Sequence, residues 1–324
     1  MSSLASHNGH GDSGHVPPPK GQPGQNPRPD SYYGMSVINP PIWEEREIAG
    51  YLFLGGLSGA SAILASAAEL SGRHRLAGRV ELVASGTISL SLLALVKDLG
   101  RPERFINMLR VFKPTSPMSV GTWILSTYAP LMFGATASRL SGRLLPLGRA
   151  AGLGAGLTGS LVSTYTAALI SDTAVPAWHE GHREMPFLFA GSSAMAAGGF
   201  GLLLAPRAEN SPAWRMAMTG GIVELAVERR LEQRLGTVAE TLVSGTGGER
   251  LKLAKGLAAG GLTVAGLLGR RNRVAAAAGG AALVAASAFT RFGIFAAGMA
   301  SSKDPRYTVE PQRARLRQRL RGDA

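Results

Sequence analysis

Long apolar segments alternate with short polar connections along most of this chain. A helix rises 1.5 Å per residue, so crossing a hydrocarbon layer about 30 Å thick takes roughly 20 apolar residues. Four segments reach that length with no ionisable side chain other than tyrosine: 48–68, 114–138, 150–171 and 185–206. The pattern therefore predicts an all-α integral membrane protein.

Four further segments bring the prediction to about eight transmembrane helices. The segment 79–97, the second along the chain, spans the membrane if Lys97 and Arg79 at its ends extend toward the headgroups. The sixth contains Glu224 and runs into a charged stretch, so an amphipathic helix lying at the interface is the alternative to a span. The predicted spans are 48–70, 79–97, 117–138, 150–171, 185–206, 213–228, 251–269 and 274–300.

The two ends of the chain are polar. Residues 1–41 are rich in Pro and Gly, and residues 303–324 form a basic tail; neither has the apolar content to order itself, so both flank a transmembrane domain over 42–302. The N-terminus shows no basic start followed by an apolar stretch. We therefore expect no cleavable signal, and the first span to direct the chain to the membrane.

Positive charge is spread over many short connections, although the net charge is +13. That distribution favours contact with lipid headgroups over binding of nucleic acid. With an even number of spans both termini share one side, and the connections on the other side are short and basic, as cytoplasmic loops are. These connections are 71–79, 139–149, 207–215 and 270–273. The pattern favours termini on the non-cytoplasmic side.

The residue types limit which redox groups this chain can hold. There is no cysteine, which excludes disulfides, thiolate-bound zinc and cysteine-bound iron–sulfur clusters. The histidines all lie outside the predicted spans, so we expect no haem within the membrane and no metal site. They are His7, His10, His15, His74, His179 and His182.

Acidic and aromatic residues gather at three places that the span count puts on one side of the membrane. A quinone site needs an apolar slot, hydrogen-bond donors for two carbonyls and a path for protons, and these residues supply that chemistry. For residues 97–105 the alternative is an interfacial turn locked by ion pairs, and the prolines and glycine there predict it to be non-helical. For Trp178 the alternative is a position in the aromatic belt at the membrane surface. The three places are Trp43–Tyr51, Lys97–Phe105 and Ser171–Glu180.

Charged residues also fall inside two of the later spans. Glu224 and Glu228 share a helix face, and Arg291 lies in the last span. Arg291 either neutralises a glutamate inside the bundle or belongs to a proton path. The latter would suit a secondary ion- or proton-coupled transporter, the main functional alternative.

Four motifs resemble the NrfD/PsrC family of membrane anchor subunits, the polysulfide reductase NrfD-type proteins, over about residues 42–309. They are YLFLGG at 51–56, DLGRPER at 98–104, KPTSPMSVG at 113–121 and SDTAVPAWHE at 171–180. The resemblance implies eight helices, largely in two four-helix bundles, with no cofactor bound by the chain itself. It also implies a four-cluster iron–sulfur partner subunit docked on the quinone face, often with a molybdenum catalytic subunit beyond it. The polar sixth span and the long N-terminal extension depart from that pattern.

From the residues and the resemblance together we expect a quinone-reactive subunit, not catalytic alone, in a molybdenum-type oxidoreductase of a bacterial plasma membrane. Menaquinone would suit a low-potential partner. A purely structural tether with an inactive quinone site is a further alternative. We expect Asp98, Asp172 or Glu47 to handle protons. The expected quinone-binding residues are Trp43, Tyr51, Lys97, Arg101, Arg104, Trp178 and His179.

Overall fold

The computed structural model describes residues 37–39, 41–98 and 103–322, and in these ranges the chain is helical, without a strand. Arg101 and most of the N-terminal extension lie outside the described residues. Together with five long apolar helices, this confirms the predicted all-α membrane fold.

Eight helices of the described chain have 20 residues or more. They are α1 (Glu45–Leu70), α2 (His74–Asp98), α4 (Pro117–Ser141), α5 (Leu145–Ser171), α7 (Met185–Leu204), α8 (Ser211–Arg234), α10 (Gly245–Leu267) and α11 (Arg273–Lys303). Shorter elements are α3 (Glu103–Leu109), α6 (Pro176–Glu180), a 3-10 turn (Gly236–Ala239), α9 (Glu240–Val243) and α12 (Arg306–Arg321).

Of the long helices in the described residues, α1, α2, α5, α7 and α11 are long and apolar enough to cross a membrane. Helices α4, α8 and α10 have comparable length but are less apolar, and α8 carries Glu224 and Glu228. Each predicted span overlaps one of the eight long helices. The number of spans therefore stays a prediction.

The long helices pack as two groups of four. Helices α1, α2, α4 and α5 form the first group, and α7, α8, α10 and α11 form the second. Helix α1 lies between the groups, since it also contacts α7 and α11. Glycine allows this packing: a Cβ added at Gly199 would lie 2.6 Å from the carbonyl oxygen of Gly280, so backbones of α7 and α11 touch directly.

Local sequence sets where several helices begin and end. Helix α4 starts after Ser116, whose side chain accepts a hydrogen bond from the Ser119 backbone N–H, and it ends at Gly142, where φ is +67°. Asn272 caps α11 by accepting from the backbone N–H of Val274.

The ends of the segment predicted to be non-helical over 97–105 are helical, because α2 continues to Asp98 and α3 starts at Glu103. Residues 99–102 lie outside the described residues, so the turn between the two helices stays a prediction. The expectation for the C-terminal tail is wrong. The tail expected to lack order forms α12, which is anchored by the buried ring of Tyr307 and a 3.0 Å ion pair between Arg315 and Glu180.

Candidate functional site

A narrow apolar pocket lies where α2 and α5 end and α4 begins, beside the first turns of α1. Its volume is about 80 Å³. Its polar atoms come from a carboxylate, two phenols, a hydroxyl and an indole. The lining residues are Trp43, Ile48, Tyr51, Leu95, Asp98, Met108, Met118, Gly121, Thr122, Leu125, Tyr165, Leu169 and Ile170. We call this the inner pocket.

Two tyrosines from different helices meet in the wall of the inner pocket. The hydroxyls of Tyr51 on α1 and Tyr165 on α5 are hydrogen-bonded, and both side chains are buried. Gly121 on α4 makes room for the Tyr165 ring, because an added Cβ would lie 2.5 Å from its Cε2. A phenol hydroxyl both donates and accepts, so the pair offers a hydrogen bond to an oxygen atom of a ligand.

Of the three predicted proton-handling carboxylates, only Asp98 lines the inner pocket. It is the last residue of α2 and is half-buried. Glu47 on α1 is instead ion-paired with Lys97, whose side chain is 77% exposed, so this pair lies at the rim. Neither Glu47 nor Lys97 is a lining residue of the inner pocket.

The structure places the two predicted tryptophans one behind the other. Trp43 lines the inner pocket, and the ring of Trp178 stacks behind it at 5.8 Å and 19°. Trp178 is fully buried, contacts Phe295 at 5.5 Å between ring centroids, and donates from Nε1 to the Ile294 carbonyl oxygen at 2.9 Å. The alternative that Trp178 lies in a membrane belt is therefore wrong, because its ring is enclosed by protein, whereas its contact with a ligand stays a prediction.

The remaining predicted residues that the structure describes lie outside the inner pocket, and Arg101 is not among the described residues. Asp172 and His179 line a separate surface pocket of about 490 Å³, together with Tyr307 and Arg315 of α12. Arg104 lines a third opening, of about 380 Å³, which we call the outer groove. The predicted cluster is thus divided among three neighbouring openings.

Sequence reasoning missed several lining residues of the inner pocket. Tyr165 is the single tyrosine of the predicted span 150–171, and its phenol was the available signal. Met118 and Gly121 belong to the KPTSPMSVG motif, which drew attention to the segment without indicating which side chains face the pocket. Met108 lies on α3, a helix that the sequence did not predict.

The second group of helices contains a buried charged cluster. Arg291 lies over the Phe189 ring at 3.7 Å and donates to the Phe189 carbonyl oxygen at 2.8 Å and to Ser193 Oγ at 2.9 Å. Glu224 accepts a 2.6 Å hydrogen bond from Thr290. Among the described residues no ion pair within 4.0 Å joins Arg291 to a glutamate, so direct neutralisation is not what the structure shows.

A further ion pair joins the connection before α7 to the end of α8. Arg234 donates from Nε to Glu184 at 2.7 Å. Burial alone would raise the pKa of the Glu184 carboxyl, but the hydrogen bonds and charge of Arg234 hold that pKa below its ordinary value. The described residues contain no group of three or more His, Cys, Asp or Glu side chains placed to hold a metal ion.

Comparison with known proteins identifies one family. The family profile described as "Polysulphide reductase, NrfD" matches residues 37–225, which is more than half of the chain. The match includes α1 to α7, much of α8 and every lining residue of the inner pocket. A search of curated proteins finds no match.

Proposed function

This chain belongs to the polysulphide reductase NrfD family, and from that premise we propose that it exchanges electrons and protons between quinone and an iron–sulfur partner subunit. Members of the family are membrane subunits of quinone-interacting oxidoreductase complexes. The chain has no cysteine to hold a cluster of its own. The electron carrier next to the quinone therefore belongs to the partner in this proposal.

The composition of the inner pocket carries the proposal. An apolar wall with a few convergent polar groups is typical of a small-molecule site, and a flat ring with two carbonyls needs a donor near each. The Tyr51–Tyr165 hydroxyl pair supplies a donor on one wall, and Asp98 supplies a carboxyl group on another. Trp43 adds an aromatic ring to the wall and is stacked on Trp178.

The proton chemistry follows from the polar groups. Oxidation of one quinol releases two electrons and two protons; the electrons pass to the partner, and the protons need an acceptor at the ring oxygens. We assign that role to Asp98, with the tyrosine pair fixing the orientation of the ring. We assign the Glu47–Lys97 ion pair at the rim to the passage of protons between Asp98 and water.

Asp172 has a different position and therefore a different proposed role. Ile170 lines the inner pocket, and Asp172, two residues later, is exposed in the neighbouring surface pocket with His179. We assign Asp172 and His179 to proton release at the surface, without contact with the ring. Substitution of Asp172 is then expected to affect turnover less than substitution of Asp98.

The proposed setting is a bacterial plasma membrane, with a four-cluster iron–sulfur subunit docked on the face that carries the inner pocket and a molybdenum catalytic subunit beyond it. Family members generally have partners of these two kinds. Menaquinone is the proposed substrate, and the termini are proposed to lie on the non-cytoplasmic side.

The test compares Asp98→Asn and Tyr165→Phe with wild type in the purified complex, at equal assembly. We expect reduction or oxidation of a soluble naphthoquinol analogue to fall at least about tenfold in Asp98→Asn, a change of about 1.4 kcal/mol in the barrier. The dye-linked activity of the partner subunits should stay unchanged. Asp304→Asn, far from the inner pocket in the chain and not part of its lining, is the matched control. Normal quinone reactivity in both pocket variants would place the chemistry elsewhere, and no reactivity in wild type would favour a structural tether.

The buried charged cluster supports a second candidate function, an ion or proton path through the second group of helices. Arg291 Nε and Nη1 and Glu224 Oε2 are buried and lack a hydrogen-bond partner among the described residues. Unsatisfied groups of this kind inside a membrane protein indicate function more often than packing. The chain alone in liposomes would then move protons, and Glu224→Gln would stop that flux without changing quinone reactivity.

A further inference from the structure

The inner pocket is too small for the ring that it is proposed to bind. Its volume is about 80 Å³. A water molecule occupies about 30 Å³ of liquid, and pockets for small ligands usually measure about 300–1,000 Å³. A naphthoquinone ring therefore enters only after part of the wall has moved.

The aromatic part of the wall is held in place by specific contacts. Trp43 is stacked on the buried ring of Trp178, and Tyr51 and Tyr165 are hydrogen-bonded to each other. Displacing any of these side chains breaks a stacking contact or a buried hydrogen bond. The wall is most easily changed at side chains without such contacts.

Two methionines meet that condition. Met108 lies on α3, and Met118 lies in the first turn of α4, where its side chain is 52% exposed. Methionine is unbranched and has three rotatable bonds, so it changes conformation at little cost. Both side chains line the inner pocket.

The same two methionines also line the outer groove. This groove has a volume of about 380 Å³, and its other lining residues include Arg104, Lys113 and Val111. Met108 and Met118 are thus the side chains shared by the two spaces, and they form the wall between them.

The surface around the outer groove is apolar. Val111, Phe112, Met118 and Trp123 are all exposed large hydrophobic residues, and the rings of Phe112 and Trp123 contact edge to face at 6.0 Å between centroids. In a membrane protein such a surface faces lipid chains, while Arg104 and Lys113 suit the headgroup level. The outer groove therefore opens to the phase in which long-chain quinones dissolve.

We propose that Met108 and Met118 form a side door, through which the quinone ring passes from the bilayer into the inner pocket while the prenyl tail stays in the outer groove. This inference rests on the proposed quinone function and adds the tail site and the route of access. The ligand class of the outer groove is a flexible, branched hydrocarbon chain attached to a ring.

The test measures association of two quinones with the full-length protein in lipid nanodiscs. The probes are 2-methyl-1,4-naphthoquinone and the same ring with a four-isoprene tail. Their association is measured by stopped-flow quenching of tryptophan fluorescence, to which Trp43 in the pocket wall contributes. The variants are Met118→Trp, which narrows the door, and the double change Met108→Ala with Met118→Ala, which widens it. Met218→Ala makes the same chemical change on α8, away from both spaces.

We expect Met118→Trp to slow association of the tailed quinone about tenfold, within the range over which association rates vary among variants of one site. The alanine pair should accelerate association of both probes and weaken the preference for the tailed one, and Met218→Ala should match wild type. Met108→Phe replaces Met118→Trp if that variant is not recovered folded.

The outcomes separate the door from the function. If wild type binds both probes but the methionine variants show unchanged rates, the side door is wrong and the quinone site stands. If wild type binds neither probe, the proposed function fails and the door fails with it. Slower association of both probes with Met118→Trp supports the door, with the larger effect on the tailed probe because Met118 also lines the outer groove.

Discussion

Gly298→Ala tests whether Trp178 supports the inner pocket from behind. A Cβ added at Gly298 would lie 2.5 Å from Trp178 Cζ2 and closer still to two other ring atoms. Carbon atoms pack at about 3.5–4.0 Å, so the indole must move by at least about 1 Å. The ring is enclosed by Trp43 and Phe295 and held by its hydrogen bond to Ile294, so it has no free direction of movement.

The cost of this substitution has two opposing parts. Overpacking a well-filled core typically costs about 1–3 kcal/mol, and a lost hydrogen bond about 0.5–1.5 kcal/mol more. Replacing glycine by alanine inside a helix returns at most about 1 kcal/mol. Gly260→Ala on α10 is the matched control, because no atom lies within 4 Å of an added Cβ there. The net expectation is a lower thermal unfolding temperature for Gly298→Ala and an equal or higher one for Gly260→Ala.

The same substitution should also reach the ligand site. Displacement of Trp178 removes the support of Trp43, so we expect the tailless naphthoquinone to bind about tenfold more weakly to Gly298→Ala, a loss of about 1.4 kcal/mol. Thermal unfolding in detergent and quenching titrations on both glycine variants measure the two effects. If Gly298→Ala unfolds at the same temperature as Gly260→Ala and binds the ring with wild-type affinity, Trp178 does not support the pocket wall.

Two further predictions concern ion pairs away from the pocket. Arg139→Gln should lower the unfolding temperature clearly more than Arg149→Gln. Arg139 lies 2.9 Å from the carboxylate of Glu81, which is 5% exposed, and leaving such a buried acceptor unsatisfied costs about 1–3 kcal/mol. The side chain of Arg149 is 61% exposed, so its ion pair contributes little. The pKa of Glu184 is lowered in the folded protein, so the stabilisation from Arg234 is fully present above pH 4.5, the ordinary pKa of a glutamate, and is lost as the pH falls below that value. In Glu184→Gln the unfolding temperature should therefore depend less on pH in this range.

The fold class could be predicted from the sequence because lipid imposes a simple rule. Apolar segments of span length must be helical to satisfy their backbone groups, and each predicted span overlaps a long helix of the structure. The helix count is harder to fix, because α8 mixes Glu224 and Glu228 with apolar residues, and composition alone does not distinguish a span from an interfacial helix.

The candidate site could be predicted only in part. Trp43, Tyr51 and Asp98 stand at helix ends beside charged residues, and the structure brings them to one pocket. Tyr165, Gly121 and Met118 lie in predicted spans or at their start, and in lipid an apolar pattern does not tell the inward side of a helix from the outward one. Met108 lies beside charged residues on α3, a helix that was not predicted. Trp178 shows the reverse case: its polar neighbours suggested an interface, while its ring packs inside.

Helix α1 explains how the pocket and the buried charges coexist in one chain. Tyr51 on α1 faces the inner pocket, whereas a Cβ added at Gly56, little more than one turn later, would lie 3.4 Å from Arg291 Nη2 and closer to Ser193. One helix thus contacts both the candidate quinone site and the charged cluster, from opposite groups of helices. Because the two sets of side chains are not shared, Asp98→Asn and Glu224→Gln act on separate chemistry. An effect of one variant on the other site would then be transmitted through packing, around α1 or through the α5–α7 and Trp178–Phe295 contacts, and a double-mutant comparison of the two substitutions measures that coupling directly.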